Sequence, residues 1–321
     1  MRFYNGIAIL GIAAALSVPM AAHAADLGTA NSFNVWVLGN ASITGSTDAE
    51  GAIAVGGNLN LPTTYTAEGH NAGGTIGTDT NVAAYIGGNV SGGGQLGANN
   101  SGNVYIGGTN SDSLQLNGGK LFTSVSSSIF ASQAAYSHAQ SSYLSTLAGT
   151  TVDTSNFNQW TLDASTAKTY TVGSDTLAVF NVAASALSDN AIININNAGS
   201  DTVLINVTGS LNGVTWNADA QNFNGKSKLL WNYTGSDSFT IGRQFDGSLL
   251  AANASVTQSS NGQVDGTLIA NNWVNQGSED HSYIFNGNLP TPPAVPEAAS
   301  VWGFGAMMGV AGISLRRRKS R

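Results

Sequence analysis

Three stretches of the sequence repeat one pattern: IAVGGN at residues 53–58, AYIGGN at 84–89 and VYIGGT at 104–109. In each stretch a short apolar run leads into two glycines and then Asn or Thr. The apolar run predicts a β-strand. The glycines allow a positive φ and close stacking of neighbouring turns of the chain, and an Asn side chain can hydrogen-bond to the next turn. Such a unit is typical of the corner of a β-solenoid.

The repeat is irregular, because its Gly-Gly pairs lie 31 and then 20 residues apart. A β-sandwich is therefore the alternative fold. Most other apolar runs are also short and are separated by Gly, Asn, Asp or Ser, which predicts many strands joined by turns. We expect a mostly β protein, built as a right-handed β-helix. The other predicted strands are 33–38, 176–182, 191–195, 202–207, 229–233, 238–241, 248–251 and 266–269.

One segment departs from the β pattern. Residues 121–147 contain neither Gly nor Pro, and their large apolar side chains recur at steps of three and four residues or the sums of these steps. This spacing predicts one long amphipathic helix over about 121–148, packed along the side of the β body, with Ser and Gln on its exposed face. The predicted buried face consists of Phe122, Val125, Ile129, Tyr136, Tyr143 and Leu147.

The first 24 residues have the layout of a secretory signal peptide. Arg2 precedes an apolar stretch from Ile7 to Val18, and Ala22-His23-Ala24 places small residues at a cleavage site. We expect cleavage between Ala24 and Ala25. The apolar stretch is too short to favour a retained membrane helix, so the chain is expected to leave the cytoplasm.

The last residues combine a short motif, an apolar run and a basic end. The apolar run spans residues 299–315, and a helix of 17 residues would rise about 25 Å, barely enough to cross a bilayer core. The cations that follow would hold that end on the cytoplasmic side. The motif is Val295, Pro296 and Glu297, and the cations are Arg316, Arg317, Arg318 and Lys319.

This arrangement resembles the PEP-CTERM sorting signal of Gram-negative bacteria, with Ala298 in place of the common second proline. The resemblance implies that a membrane enzyme, an exosortase, processes the chain near the motif and releases or re-anchors the exported domain. It also implies a linker at 289–298, transient contact with the inner membrane through a transmembrane segment at 299–315, and a cytoplasmic tail at 316–321. The alternative is an ordinary C-terminal membrane anchor with a chance Pro-Glu pair.

The part of the chain between these signals is poor in charge. Charged residues make up 9% of the full chain, 40 residues are glycine, and cysteine is absent. Residues 25–288 carry five cations against 17 acids, a net charge of −12, which excludes DNA and RNA as partners. Without disulfides, core burial and backbone pairing must stabilise the exported fold. The five cations are Lys120, Lys168, Lys226, Lys228 and Arg243.

Several short segments follow one another in a characteristic order, and they fall into two groups, one in each half of the chain. The first group is FNVWVLG at 33–39 and TDAEGAIAVGGN at 47–58; the second is LWNY at 230–233, GSLLAANA at 247–254, GQVDGTLIA at 262–270 and a closing Glu279, His281 and Phe285. This order resembles the choice-of-anchor A domain, an adhesive β-helix module, although Ala252 stands where that family usually has proline. The resemblance covers nearly all of residues 25–288. It implies an extracellular attachment or matrix role and supplies no catalytic residue.

The sequence lacks the common catalytic and metal-binding motifs. His70, His138 and His281 belong to no HxH, HxxxH or HExxH motif, and neither GxSxG nor a cysteine nucleophile is present. We therefore predict no catalytic, cofactor or metal residue. Glu279-Asp280-His281 is a compact ionisable group, interpreted as a loop that closes hydrogen bonds onto the last coil. Calcium bound by loop aspartates stays an unsupported possibility; the candidates are Asp219, Asp237, Asp246 and Asp265.

These features together predict an exported, non-catalytic, adhesin-like protein of the cell surface or extracellular matrix. The expected partners are extracellular polysaccharide or surface proteins, besides the exosortase. Two alternatives stay open: a glycosidase built on a β-helix, which needs paired carboxylates, and an ice- or sugar-binding solenoid. Low charge, abundant Asn, Ser and Thr, and the aromatic residues suit contact with neutral carbohydrate and with other surface proteins equally well. The tryptophans concerned are Trp36, Trp160, Trp216, Trp231 and Trp273.

Overall fold

Short strands stacked in successive coils, with one α-helix along the side, form the body of the protein in this computed structural model. The structure describes residues 24–68, 73–123, 125–220 and 223–292. The chain divides into two units, Met1–Thr291 and Pro292–Arg321, and the coils belong to the first. Within the described ranges, every helix is too short or too polar to span a bilayer.

The strands before the helix form the first half of the fold. They are β1 (Ala24–Ala25), β2 (Val35–Val37), β3 (Ala41–Ile43), β4 (Thr47–Asp48), β5 (Ile53–Val55), β6 (Leu59–Asn60), β7 (Thr64–Ala67), β8 (Gly74–Ile76), β9 (Asp79–Ile86), β10 (Val90–Ser91), β11 (Gln95–Ala98), β12 (Asn103–Ile106), β13 (Ser113–Gln115) and β14 (Leu121–Phe122). Helix α1 (Ser127–Ser145) follows.

The second half returns to short strands. They are β15 (Thr150–Thr151), β16 (Gln159–Asp163), β17 (Lys168–Val172), β18 (Asp175–Ala183), β19 (Ile192–Asn196), β20 (Thr202–Thr208), β21 (Thr215–Trp216), β22 (Leu229–Asn232), β23 (Ser238–Ile241), β24 (Phe245–Asp246), β25 (Ser248–Gln258), β26 (Val264–Asp265), β27 (Leu268–Asn275), β28 (Asp280–His281) and β29 (Leu289–Pro290). Short 3-10 helices lie at Gly28–Ser32, Ala164–Thr166, Ala184–Ser188 and Lys226–Lys228.

Each coil contributes to three faces, and on each face its strands pair in parallel with those of the next coil. The helix-covered face has the order β14-β12-β9-β5-β2-β27-β25-β22-β20-β18-β15. The ladder face has the order β21-β23-β25-β27-β3-β6-β10. The third face contains β4-β7-β11-β13, β24-β26-β28 and β16-β19. Parallel pairing between successive coils is the pairing found in a solenoid, and it rules out the sandwich alternative. The right-handedness of the coil stays a prediction.

The coils are stacked in an order that differs from their order in the chain. Strand β2 pairs with β5 on one side and with β27 on the other, where Val35, Trp36 and Val37 lie opposite Leu268, Ile269 and Ala270. The first half of the chain therefore stacks outward from β2 to β14. Helix α1 then connects to the opposite end of the sheet, and the second half stacks from β15 back to β27. We call the junction of β27 and β28 with the first coil the seam.

Two apolar layers stabilise this arrangement. Val35 and Val37 point into the interior of the coils, where the hydrophobic cluster runs through the whole stack. Trp36 points the other way, into a second cluster that includes Phe130 and Leu144 of α1. The central strands of the helix-covered face, such as β2, β5 and β22, are thus buried on both sides, which explains why they appear in the sequence as continuous apolar runs.

The Gly-Gly pairs are explained by close stacking and not by backbone conformation. Among the described residues with positive φ, none belongs to the three Gly-Gly pairs, so that part of the prediction is wrong. A Cβ on Gly56 would lie 2.2 Å from the carbonyl oxygen of Leu38, and a Cβ on Gly87 would lie 2.3 Å from that of Gly56. The corners of neighbouring coils therefore approach too closely for any side chain.

The predicted helix exists, but its start and its buried face differ from the prediction. It begins at Ser127, because Leu121 and Phe122 instead form β14, where Phe122 stacks on Tyr105 with ring centroids 4.6 Å apart. The side chains expected in the core, such as Ile129 and Tyr136, are only half-buried. The fully buried positions of the helix are Phe130, Gln133, Ser137, Gln140, Ser141 and Leu144.

The Gln and Ser side of α1 therefore faces the β body and not the solvent. Gln133 donates to the carbonyl of Leu27 at 2.8 Å and accepts from the backbone N–H of Ala30 at 3.2 Å. Ser141 donates to Asn232 Oδ1 at 2.6 Å. Buried polar groups are tolerated only when they are hydrogen-bonded, and the coils supply those partners. The sequence pattern missed this face because it counted only apolar side chains.

Candidate functional site

A ladder of Asn side chains runs along one edge of the ladder face. Each Asn carboxamide oxygen accepts a hydrogen bond from the backbone N–H of the equivalent residue in the next coil: Asn40 from Asn58 at 2.8 Å, Asn58 from Asn89 at 2.9 Å and Asn89 from Thr109 at 2.8 Å. Across the seam, Asn272 Oδ1 accepts from the N–H of Asn40 at 3.0 Å. This confirms the predicted Asn ladder at the coil corners.

The ladder is the first of two ranks of outward-facing side chains on the ladder face. The first rank runs in register through Ser238, Ser255, Asn272, Asn40, Asn58, Asn89 and Thr109. The second rank runs through Thr215, Thr240, Thr257, Val274, Ser42, Asn60, Ser91 and Ser111. Neighbouring strands lie about 4.8 Å apart and alternate residues about 6.6 Å apart, so the ranks form a two-dimensional grid.

The grid is polar and uncharged. All of its members are exposed or half-exposed, all but Val274 carry a hydroxyl or a carboxamide, and none carries a charge. A shallow groove of about 360 Å³ lies between the ranks near the seam, lined by Asn40, Asn60, Asn272 and their neighbours. Such a surface can form many weak hydrogen bonds to a ligand that repeats in the same two directions.

Sequence reasoning missed the second rank. The coils differ in length, so the positions that align in space are separated by unequal numbers of residues. A usable signal was nevertheless present, since Asn40, Asn58 and Asn89 are each followed two residues later by Ser or Asn.

The tryptophans suggested for carbohydrate contact are buried. Trp36, Trp160, Trp216, Trp231 and Trp273 are each at most 1% exposed. Trp216 and Trp231 form an edge-to-face pair inside the coils with centroids 5.0 Å apart. They stabilise the core, and that interpretation of the tryptophans was wrong.

A second polar feature lies at the seam, on the third face. Asp246, Asp265 and His281 lie opposite one another on β24, β26 and β28, and the pairing of Ala49 with Asp280 brings Glu50 next to His281. Lys226 contacts both Asp246, at 2.7 Å, and Asp265. We call Glu50, Lys226, Asp246, Asp265, Glu279 and His281 the seam cluster.

His281 is held between carboxylates. Its Nδ1 lies 2.6 Å from Asp265 Oδ1, and its Nε2 lies 3.5 Å from Glu279 Oε2. Glu50 Oε2 accepts from the backbone N–H of Ser282 at 2.9 Å. Asn34 donates to the carbonyls of Gly266 and His281 at 2.7 and 3.0 Å, which ties the first coil to the last. The predicted role of Glu279-Asp280-His281 in closing the last coil is therefore confirmed.

Burial and ion pairing shift the pKa values of the cluster in different directions. Burial raises the pKa of Asp246 above its ordinary value, against the opposing effect of Lys226. Burial also acts to raise the pKa of Asp265, but hydrogen bonds with Lys226 and His281 outweigh it, and the pKa is lowered. Burial acts to lower the pKa of His281, yet the hydrogen bond with Asp265 outweighs it, and the pKa is raised. The adjacent Asp280 is fully buried, and burial raises its pKa to about 8.

The four aspartates considered for calcium do not converge on one site. Asp246 and Asp265 both form ion pairs with Lys226, and Arg243 lies 3.7 Å from Asp219. Asp237 accepts from Tyr233 and, at 2.8 Å, from Ser210. Each of the four aspartates therefore has a protein partner, which Asp246 and Asp265 share.

The other predicted residues lie mostly outside the described ranges. Ala24 and Ala25 form β1, which pairs antiparallel with β29, so that Ala25 lies opposite Leu289. His138 is exposed on α1, with Nε2 3.3 Å from the carbonyl of Ala252. The sorting motif Val295–Glu297, the apolar run at 299–315, the cations Arg316–Lys319 and His70 fall outside the described residues, and the predictions made on them are untested.

A family model described as "Putative Ice-binding-like adhesive domain" matches residues 26–282. The chain belongs to this family. The match covers the coils, α1 and the seam cluster, and it ends at Ser282. No curated protein gives a significant match to the sequence.

The ice-binding-like adhesive domain is also similar to solved structures at low sequence identity. An ice binding protein from an Antarctic biological consortium is 13% identical, with a TM-score of 0.42, covering 79% of this chain and 90% of that one. An ice-binding protein from the Antarctic ascomycete Antarctomyces psychrotrophicus is 14% identical, with a TM-score of 0.38 and coverage of 84% and 98%. A glycosylated ice-binding protein (LeIBP) from Arctic yeast is 13% identical, with a TM-score of 0.38 and coverage of 86% and 98%.

Proposed function

We propose that this ice-binding-like adhesive domain is an exported, non-catalytic adhesin of the choice-of-anchor A type. Its ladder face binds an extended hydroxyl-rich polymer, the polysaccharide of an extracellular matrix. The observation that carries the proposal is the two-rank grid of uncharged hydrogen-bonding side chains. A polymer that repeats along its length can engage several coils at once, so individually weak contacts add up through multivalency.

The charge distribution supports a neutral ligand. The grid is uncharged, whereas the ionic groups of the seam cluster lie on the third face. In that cluster Lys226 lies between Asp246 and Asp265, so these carboxylates are engaged in ion pairs. Asp246 and Asp265 are therefore not available as the pair of free carboxylates that a glycosidase requires.

The position of the chain ends supports surface display. Strands β1 and β29 pair beside α1, where Tyr136 donates to the carbonyl of Asp26 at 2.9 Å and Gln140 donates to that of Pro290 at 3.0 Å. Both ends of the domain therefore leave from the side that carries the helix. The two ends of the domain therefore do not lie on the ladder face, where the ligand is proposed to bind.

Replacing Thr257 with tyrosine should reduce binding to the producer's own extracellular polysaccharide by about tenfold or more, equivalent to a loss of about 1.4 kcal/mol. Thr257 lies in the second rank, and a ring there would stand above the grid and separate its neighbours from the polymer. Binding is measured by depletion of the purified protein from solution by the insoluble polymer. Thr64→Tyr, at an exposed position of the third face, is the matched control. Equal binding by wild type and Thr257→Tyr would exclude the ladder face as the binding surface.

The terminal signals are proposed to deliver the domain. Residues 1–24 would act as the signal peptide, and the PEP-CTERM-like tail would be recognised by an exosortase after transient insertion in the inner membrane. Deleting residues 295–321 should move the protein from the cell envelope into the medium, as followed by immunoblotting of cell fractions. Unchanged retention in the envelope would contradict a sorting role for the tail.

Adsorption to ice is the second candidate. One observation favours it: the grid consists of small side chains, and none of its members is aromatic. The grid therefore has no aromatic ring on which a sugar ring could stack. Ice is also a surface that repeats in two directions. Reshaped ice crystals and a lowered freezing point in dilute protein, both lost in Thr257→Tyr and accompanied by no polysaccharide retention, would select this candidate.

A further inference from the structure

We propose that Glu50, Glu279 and His281 form a Zn²⁺ site that cross-links the first and last coils at the seam. This inference goes beyond the proposed adhesive function and does not depend on it. One ligand comes from the turn after β4, and the other two come from β28 and the residue before it, more than 200 positions later in the chain.

The donor atoms are already close together. One ligand atom from each of the three side chains lies within 4.8 Å of the other two. His281 Nε2 and Glu279 Oε2 are 3.5 Å apart, close to the ~3.4 Å that bonds of about 2.1 Å impose on two ligands of a tetrahedral ion. All three side chains are half-buried, and a water molecule would complete the four ligands of a tetrahedral ion.

His281 has the orientation of a metal-binding histidine. Its Nδ1 is hydrogen-bonded to Asp265 at 2.6 Å, which directs Nε2 toward the two glutamates. A carboxylate behind a histidine in this way fixes the tautomer and the direction of the ring at metal sites. Asp265 is itself only 2% exposed and is held by Lys226.

The local charge balance favours a divalent cation. Glu50 and Glu279 contribute two carboxylates to the site, and the carboxylate of Asp265 lies behind His281. A bound divalent ion would therefore have two negatively charged ligands. One imidazole and two carboxylates suit Zn²⁺, whereas Ca²⁺ prefers oxygen ligands alone.

The experiment titrates metal-free, full-length purified protein with Zn²⁺ in a calorimeter and records thermal unfolding with and without the metal. Wild type is expected to bind one Zn²⁺ and to unfold at a higher temperature when it is bound, because binding to the folded state stabilises it. Glu50→Gln, Glu279→Gln and His281→Asn should each weaken Zn²⁺ binding at least about tenfold and abolish the shift in unfolding temperature.

The matched control is His138→Asn, which removes an exposed histidine of α1 and should leave Zn²⁺ affinity unchanged. Unfolding curves in a chelator show that each variant folds without metal. The proposal is overturned if wild type binds no stoichiometric Zn²⁺, or if His138→Asn weakens binding as much as His281→Asn does. Unchanged affinity in Glu50→Gln would overturn the cross-link, and Ca²⁺ binding that is insensitive to His281→Asn would overturn the assignment to Zn²⁺.

Discussion

Replacing Gly87 with alanine should lower the free energy of unfolding by about 3 kcal/mol, at the upper end of the range for overpacking. The new Cβ would lie 2.3 Å from the carbonyl oxygen of Gly56 in the adjacent coil. Because the obstacle is backbone, no side-chain rotation relieves the contact. The coils would have to separate where the N–H of Gly87 donates to Val55 at 2.7 Å. Urea unfolding followed by circular dichroism measures the loss.

Gly77→Ala is the control for this prediction. Gly77 has a φ of +60°, and a Cβ there would meet nothing within 4 Å. Alanine at Gly77 should therefore cost only the strain of a left-handed residue, about 1 kcal/mol. If the two variants lost equal stability, close stacking of the corners would not be the reason for the repeated glycines.

Replacing Asn232 with alanine should also cost about 3 kcal/mol, because it leaves several buried polar groups of the helix interface without partners, each worth roughly 1 kcal/mol or more. The Asn232 amide donates to the carbonyl of Ser141 at 3.0 Å and to Asn206 Oδ1 at 2.9 Å. Its oxygen accepts from the Ser141 hydroxyl at 2.6 Å. Thermal unfolding of the single variants Asn232→Ala and Ser141→Ala, and of the double variant, measures the coupling between them.

We expect the double variant to be more stable than the sum of the single losses implies, since the two residues share one network. Ser142→Ala, at an exposed position of the same helix, should change stability by less than about 0.5 kcal/mol. Strict additivity of Asn232→Ala and Ser141→Ala would show that α1 is held mainly by its apolar contacts.

Local features of the fold were predictable because they follow from nearest-neighbour geometry. An apolar run followed by Gly-Gly-Asn specifies a strand, a tightly stacked corner and an amide ladder, and the hydrogen bonds of Asn40, Asn58 and Asn89 confirm the ladder. Helix α1 was predictable from the long stretch without Gly or Pro. Its start was not, because Leu121 and Phe122 suit either a helix or a last strand, and stacking on Tyr105 decides between them.

Long-range features were not predictable from one sequence. Nothing in residues 35–37 indicates that they pair with residues 268–270, so the seam could not be anticipated. Some residues of the seam cluster were likewise visible in the sequence, and others were not. The group at 279–281 is visible as a compact ionisable cluster, but its partner Glu50 is brought there only by the pairing of Ala49 with Asp280. The second rank of the ladder face likewise depends on coil lengths that the sequence does not align.

The pairing of β2 with β27 has a consequence for the order in which the protein matures. A polypeptide that is exported amino-end first presents the open edge of its earliest coil long before residues 268–270 emerge to cover it. During that interval the edge offers unpaired backbone groups to any other nascent strand, which is a known route to aggregation. A chain cut short before β27 would keep this edge open, whereas in the finished molecule β27 covers it.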